Sequence, residues 1–279
     1  MKPSHIKEHN RIAHDAVRHA GTISVGEHTA VILNYLVTAD AAGTRIEMHS
    51  HVHCEVGIVT KGTVVYMFGK RKFTVRPGEA IVIPPKTPHI RSCSEQCVIH
   101  GFWIYMTGIP PGRDAVHVTN TDDASQFISS IHAEIKRGEA GLACTISHYI
   151  ALVLIAVLRR LPPPASHTSA RAFMLIRIRD AITFINDHLS EDMSAKVIAR
   201  EFGISARHAN RLFLEATGST LHDFVRNTKM MTAYIALTRG RRTSVREIAL
   251  SVGMRDFSYF SKCMKIFCGL TPSEIRSML

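Results

Sequence analysis

Three histidines and a carboxylate stand where a fold can bring them together. His49 and His51 are two residues apart, Glu55 follows four positions later, and His89 lies further along the chain. On an extended strand alternate residues share a face, so His49 and His51 are expected to point the same way. Imidazole and carboxylate are suitable ligands for Zn, Fe or Mn. Without an ion the same groups hydrogen-bond a polar ligand or one another. Tyr66 extends this wall, and Arg45 or Trp103 is placed at its mouth, as a site for a small polar molecule requires. His53 is assigned to the opposite face and expected exposed. His100 and Trp103 have opposite parity on a later strand, so at most one of them faces inward. Three chemistries stay open: effector binding without a metal, a structural or sensed divalent ion, and metalloenzyme catalysis.

A second set of residues suits nucleic acid. Arg207, Asn210 and Arg211 fall on one side of a short helical stretch, and Ser258, Tyr259 and Lys262 on another, with Lys265 beyond. Arginine can hydrogen-bond guanine at two places, asparagine can do so with adenine, and neighbouring cations reach phosphates. The bland alternative is the solvated face of an ordinary helical domain.

The elements that must hold this second set are written twice. Ile198-Ala199, Gly203, Arg211, Phe213, Gly218 and Thr220 recur about fifty residues later as Ile248-Ala249, Gly253, Lys262, Met264, Gly269 and Thr271. Each copy reads as a helix-turn-helix. Gly203 and Gly253 supply the turn, because a chain leaving a helix needs a left-handed residue. Ser205 caps one following helix and Asp256 the other, and Ser244 with Glu247 forms a capping box. The inward faces are Ala209, Leu212 and Phe213 in one copy and Phe257, Phe260, Met264 and Phe267 in the other.

The first half has a different texture. Between Thr29 and Met106, short runs rich in Val, Ile, Tyr and Phe alternate with Gly or Pro turns, at residues 30–38, 54–60, 63–68, 72–75, 79–83 and 96–106. Such spacing predicts an antiparallel barrel or jelly roll. Helices are expected over 124–137 and through Ile146, Ile150, Val153, Leu154 and Val157 to Arg159. The expected organisation is a 1–25 arm or first strand, a 26–118 barrel, a 119–161 helical segment, a 162–170 Pro- and Ser-containing linker, and a 171–279 helical domain. The fold class is thus α+β and multidomain.

Charge agrees with a phosphate-rich partner. Residues 171–279 hold 17 Lys and Arg against 10 Asp and Glu, which is +7 of the chain's net +11. Arg239, Arg241 and Arg242 are either phosphate contacts or a solvated turn. The first twenty residues lack the apolar centre of a signal peptide, and the longest apolar run, Tyr149 to Leu158, is too short to span a bilayer. Six cysteines without framework spacing are expected to be reduced cytosolic thiols.

Two family resemblances follow from these residues. Gly43, His49-x-His51, Glu55 and Gly62 match the first cupin motif, and Gly78, Pro84 and His89 match much of the second, where Lys86 replaces a glycine and Cys93 an asparagine. The region from about 174 to 279 resembles the DNA-binding domain of AraC/XylS transcription regulators, most distinctively from Gly253 to Lys262 and from Gly269 to Arg276. That resemblance implies two recognition helices joined by a linking helix, here about Leu221 to Arg239, reading one face of a duplex about one turn apart. It implies base contacts at Arg207, Asn210, Arg211, Ser258, Tyr259 and Lys262, and a phosphate contact at Lys229, where arginine is usual. Ala209 stands where a larger aliphatic residue is usual. Helices at 119–161 can mediate dimerisation in this family. The whole arrangement is similar to carbohydrate-responsive members such as the arabinose, rhamnose and melibiose operon activators. The expectation is a cytoplasmic, non-enzymatic regulator, an activator that works with RNA polymerase, binds double-stranded promoter DNA as a homodimer and answers to a sugar, with no membrane partner. No cofactor is expected beyond a divalent metal at His49, His51, Glu55 and His89. The alternative is a metal-binding cupin sensor or cupin metalloenzyme fused to a DNA-binding domain.

Overall fold

The computed structural model describes residues 3–20, 22–25, 28–51, 53–107, 117–162, 169–238 and 243–277. They form two compact units, Met1–Ala172 and Phe173–Leu279. The first contains, in order, α1 (Pro3–Ala20), β1 (Thr22–Val25), β2 (His28–Asp40), β3 (Arg45–His49), β4 (Cys54–Lys61), β5 (Val64–Phe68), β6 (Arg71–Val75), β7 (Glu79–Ile83), β8 (His89–Cys93), β9 (Cys97–Met106), β10 (His117–Asn120), α2 (Asp122–Arg137) and α3 (Leu142–Leu158).

Two antiparallel sheets make a half-barrel. Six strands run in the order β1-β2-β9-β4-β7-β10, and four in the order β3-β8-β5-β6. Alternation divides the larger sheet cleanly. Val59, Ile81, Ile83, Cys97 and Ile99 face the smaller sheet and meet Val64, Tyr66, Phe68, Val75 and Cys93. The intervening Tyr35, Val56, Ile58, Ala80, Val82, Phe102 and Ile104 face the helices. The six expected strands are all present; β1, β3, β8 and β10 are additional, and β3 and β8 carry His49 and His89.

The amino-terminal segment is not an arm. It folds as α1, with Ile12, Ala13, Ala16 and Val17 buried against the sheet, and a first strand β1 follows it. Asn10 fastens the helix by donating to the Val37 carbonyl (2.8 Å) and accepting from the Val37 amide (2.7 Å). The physical reason is the helical row Ile12-Ala13-Ala16-Val17, which a polar, histidine-rich composition hides. The stripe Ile146, Ile150, Val153, Leu154 and Val157 on α3 is buried in this same core, so it is consumed within the chain.

Among the described residues the second unit has helices alone: α4 (Ser169–Asp187), α5 (Ala195–Glu201), α6 (Ala206–Thr217), α7 (Leu221–Thr238), α8 (Val245–Ser251), α9 (Phe257–Cys268) and α10 (Pro272–Ser277). The repeat is faithful, since α5 and α8 have seven residues each and α6 and α9 twelve. Gly203 and Gly253 turn the chain at φ +63° and +68°. Ser205 accepts from the His208 amide, Asp256 from the Tyr259 amide, and Ser244 with Glu247 closes a capping box. Between the repeats runs α7, which buries Leu221, Phe224, Met230, Ala233 and Leu237. Of the linker read at 162–170, residues 163–168 lie outside the described residues, as do Arg239, Arg241 and Arg242. Among the described residues no helix is long and apolar enough to cross a membrane.

Candidate nucleic-acid interface and buried histidine site

Helices α6 and α9 each bury one face and leave the other in solvent. On α6, Ala209, Leu212, Phe213 and Ala216 are buried while Arg207 and Arg211 are exposed. On α9, Phe260, Met264 and Phe267 are buried while Ser258, Tyr259, Lys262 and Lys265 are exposed. Both helices are capped at the end where a recognition helix meets bases, so that their first turns are held in shape. Two residues that type and spacing did not single out join these surfaces. His208 lies 3.1 Å from an Arg211 guanidinium nitrogen, and Arg255 is exposed just before the Asp256 cap.

Three expected positions behave differently. Asn210 is half-buried; its amide donates to the Ala206 carbonyl (3.2 Å) and its oxygen accepts from the Leu221 amide (3.3 Å), so it braces α6 against α7. Lys229 donates to the Glu191 carbonyl (3.4 Å) beside Gly253, and burial lowers its pKa. It spans the two halves of the domain. Phe257, read as core, is 44% exposed, because it opens α9 in the solvated turn after the cap and keeps its ring only 6.2 Å from that of Phe260.

In the first unit the predicted constellation converges. One donor atom from each of His49, His51, Glu55 and His89 lies within 4.8 Å of all the others. Strict alternation would place His49 with the exposed Arg45 and Glu47, but a register shift between Ile46 and His49 turns it inward opposite His89. Glu55 is the hub. Its Oε2 is 2.8 Å from His51 Nε2 and 3.5 Å from His89 Nε2. Burial would raise its pKa, yet hydrogen bonds from His51 and His89 hold the carboxyl well below the usual range. Burial, followed by its neighbours His51 and His89, pushes His49 down to about 3.

Other parts of the wall need correction. His53 is 2% exposed, and its ring stacks on His51 at 4.9 Å. It therefore lies on the same side as His51 and not on the opposite face. Arg45 pairs with Glu47 on the exposed face of β3 (2.9 Å) and is not at the site. The half-buried Arg91 on β8 bonds Asp40 (2.8 Å). Trp103 does face the cluster, with centroids 6.0 Å from His51 and 5.0 Å from His53. His100, on the opposite face of β9, is also buried, because helices cover that side.

Two buried polar groups stand by this cluster without protein partners. Asn34 is 1% exposed, pairs in register with Trp103 and therefore shares its face, and neither its amide nitrogen nor its oxygen is hydrogen-bonded. The Tyr66 hydroxyl is likewise buried and unpaired, 3.0 Å from where a Cβ on Gly57 would lie. Asn34 carried no signal in the sequence, since it interrupts an apolar strand at a bulge. Lys86 also has an explanation: at φ +58° it keeps the left-handed backbone that the expected glycine would have, and its amide donates to the His51 carbonyl.

The donor set fits a divalent ion. Nδ1 of His49 faces the Glu47 carbonyl at 2.7 Å and Nδ1 of His89 the Thr87 carbonyl at 2.9 Å, which fixes both rings with Nε2 toward the cluster.

Comparison with known proteins agrees with both halves. Residues 34–149 match the AraC-like ligand binding domain and residues 198–278 a helix-turn-helix domain. An HTH-type transcriptional activator, RhaS of Salmonella arizonae, is 22% identical over 245 residues, covering 82% of this chain and 86% of that protein. The HTH-type transcriptional regulator YfiF of Bacillus subtilis is 23% identical over 259 residues, covering 83% of this chain and 79% of its own. ToxT of Vibrio cholerae O395 shares the fold, with a TM-score of 0.56 at 11% identity over 91% of this chain and 99% of that one. A second structure of ToxT, with an unsaturated fatty acid bound, gives a TM-score of 0.53 at 13% identity, over 88% of this chain and 95% of that one.

Proposed function

Because the chain belongs to the AraC-type transcriptional regulators, with an AraC-like ligand-binding domain before its helix-turn-helix domain, we propose that it is a sugar-responsive activator. It acts in the cytoplasm, binds promoter DNA as a homodimer and recruits RNA polymerase. The half-barrel senses and has no catalytic role. In the helical unit Arg207, Arg211, Ser258, Tyr259 and Lys262 read or steady the duplex, one helix in each of two successive major-groove segments.

One observation carries the choice of effector. The Asn34 amide is buried with nothing bonded to it, on the same sheet face as Trp103. An unsatisfied buried amide costs about 1–3 kcal/mol. A polyhydroxyl ligand supplies both a donor and an acceptor to it, and can lay an apolar ring face on the indole, with Glu55, His51 and Tyr66 as further partners. The relative named a transcriptional activator is in keeping with activation. For the dimer, the available face of α3 is the exposed row Cys144, His148 and Leu152.

The test is a thermal-shift screen of the full chain against neutral sugars and unsaturated fatty acids, followed by promoter-binding assays with the hits. A sugar that raises Tm, changes DNA affinity and loses both effects in Asn34→Ala supports the reading. A response to fatty acids alone overturns it.

A second reading has its own observation: the carbonyl-anchored His49 and His89 rings beside Glu55 are arranged as metal ligands. Here an ion would be sensed or would brace the pocket. Loss of one metal equivalent in His89→Ala, with no sugar response in the parent, would favour it.

A further inference from the structure

Three more histidines meet on the other face of the six-stranded sheet, away from the barrel interior. His9 comes from α1, His100 from β9 and His132 from α2, and one ring nitrogen of each lies within 4.8 Å of the other two. The ring centroids of His9 and His100 lie 4.9 and 5.4 Å from that of His132. His9 and His100 are 1% and 0% exposed, and His132 is half-buried.

Each of the three rings has an unsatisfied nitrogen. Nδ1 of His9, Nε2 of His100 and Nε2 of His132 are buried with no partner. On the far side, the buried Tyr35 hydroxyl lies 2.7 Å from His100 Nδ1 and 3.3 Å from His9 Nε2. Its oxygen has lone pairs for both ring N–H groups. In those tautomers His9 Nδ1 and His100 Nε2 become lone pairs. An outer hydrogen bond that orients an imidazole is the usual support of a metal ligand. Burial keeps the three rings on the neutral side, pushing His9 down to about 3.

We propose that His9, His100 and His132 form a divalent-metal site that takes Zn²⁺ through three imidazoles and leaves a fourth position for solvent. Ligand nitrogens around tetrahedral zinc stand roughly 3.3 Å apart. The separations of up to 4.8 Å here must therefore shorten when the ion binds. A cavity of about 600 Å³ bordered by His9, His132 and Lys136 gives an entry path. Since the three ligands come from the first helix, the sheet and α2, the ion pins the amino-terminal helix to the sensor unit. The site is separate from the Glu55 cluster and does not depend on which effector that cluster binds.

The experiment uses the full chain with His49→Ala and His51→Ala, which disables the other histidine cluster. After chelation it is titrated with Zn²⁺ and, separately, Co²⁺, with metal content, Tm and the visible spectrum as readouts. One equivalent bound at micromolar concentration, a rise in Tm of several degrees and the bands of four-coordinate cobalt are expected. Adding His132→Gln, at a half-buried position, should abolish all three while leaving the metal-free Tm unchanged. Tyr35→Phe should weaken binding by 10-fold or more. Should the double variant fold poorly, His132→Gln in the otherwise unaltered chain should lower the zinc content by one equivalent. The proposal is overturned if the chain with His49 and His51 replaced binds no zinc, or if its equivalent survives His132→Gln.

Discussion

The side-chain oxygen of Asn210 accepts the Leu221 amide at 3.3 Å, while its own amide donates to the Ala206 carbonyl at 3.2 Å. A residue type suited to reading adenine is thereby engaged at both ends within the domain. The exposed α6 surface narrows to Arg207 and Arg211, with His208 beside the latter. Lys229 has a comparable task, since it bonds the Glu191 carbonyl across from Gly253.

Asn210→Ala should therefore act on stability. Loss of the bond to Leu221 is expected to cost about 1 kcal/mol in the helical unit, seen as a lower urea midpoint, with base preference unchanged. Altered preference at an adenine with an unchanged midpoint would return Asn210 to the DNA surface.

The two turn glycines should respond unequally to alanine. At Gly203 a Cβ meets nothing within 4 Å, so Gly203→Ala carries only the left-handed strain, about 1–2 kcal/mol. At Gly253 a Cβ would lie 2.7 Å from the Ser190 carbonyl oxygen and 2.9 Å from Lys229 Nζ. Gly253→Ala must displace backbone and should be clearly more destabilising. Equal losses in chemical denaturation would mean that this close approach does not exist.

The first unit should lose stability as pH falls from neutrality. His9, His49, His53 and His100 are all held below the ordinary value of 6.5, with burial the largest cause. A histidine whose folded pKa is depressed takes up its proton more readily when unfolded. Its contribution is complete above about 6.5 and declines as pH drops toward the folded value. Glu55 adds to this at lower pH, because its depressed carboxyl stabilises above its ordinary 4.5 and is lost below it. Urea midpoints should hold between pH 7.5 and about 6.5 and fall from there to pH 5, and His53→Gln should flatten that fall by up to about 1.4 kcal/mol per pH unit. A flat profile in the parent chain would contradict the buried, neutral state of these rings.

Much of this was legible in the sequence because it is local. Caps, turn glycines and the fifty-residue repeat are set by neighbours along the chain, and each is found where its residues predict. Convergence of His49, His51, Glu55 and His89 was legible through spacing. What alternation could not tell was where it breaks: a register shift turns His49 inward, and another near Asn34 places an amide on the face shared by Trp103. α1 was hidden because its apolar row is short and interrupted by charge. Arg45 fell outside the site for a similar reason of side, since which face of β3 is interior depends on the partner sheet. For Asn210 and Lys229 residue type gives a capability, and only packing shows the bonds they make within the helical unit.

The central claim is that the exposed faces of α6 and α9 hold duplex DNA. The measurement that bears on it most directly is the affinity of the full chain for the promoter region of its own gene neighbourhood across a salt series, for the parent, Arg211→Ala, Lys262→Ala and the double variant. Each replacement should weaken binding by about 1–3 kcal/mol, lower the salt slope by about 0.9 where a phosphate contact is lost, and leave Tm in place. A double variant that binds as tightly as the parent, with the same salt slope, would contradict it.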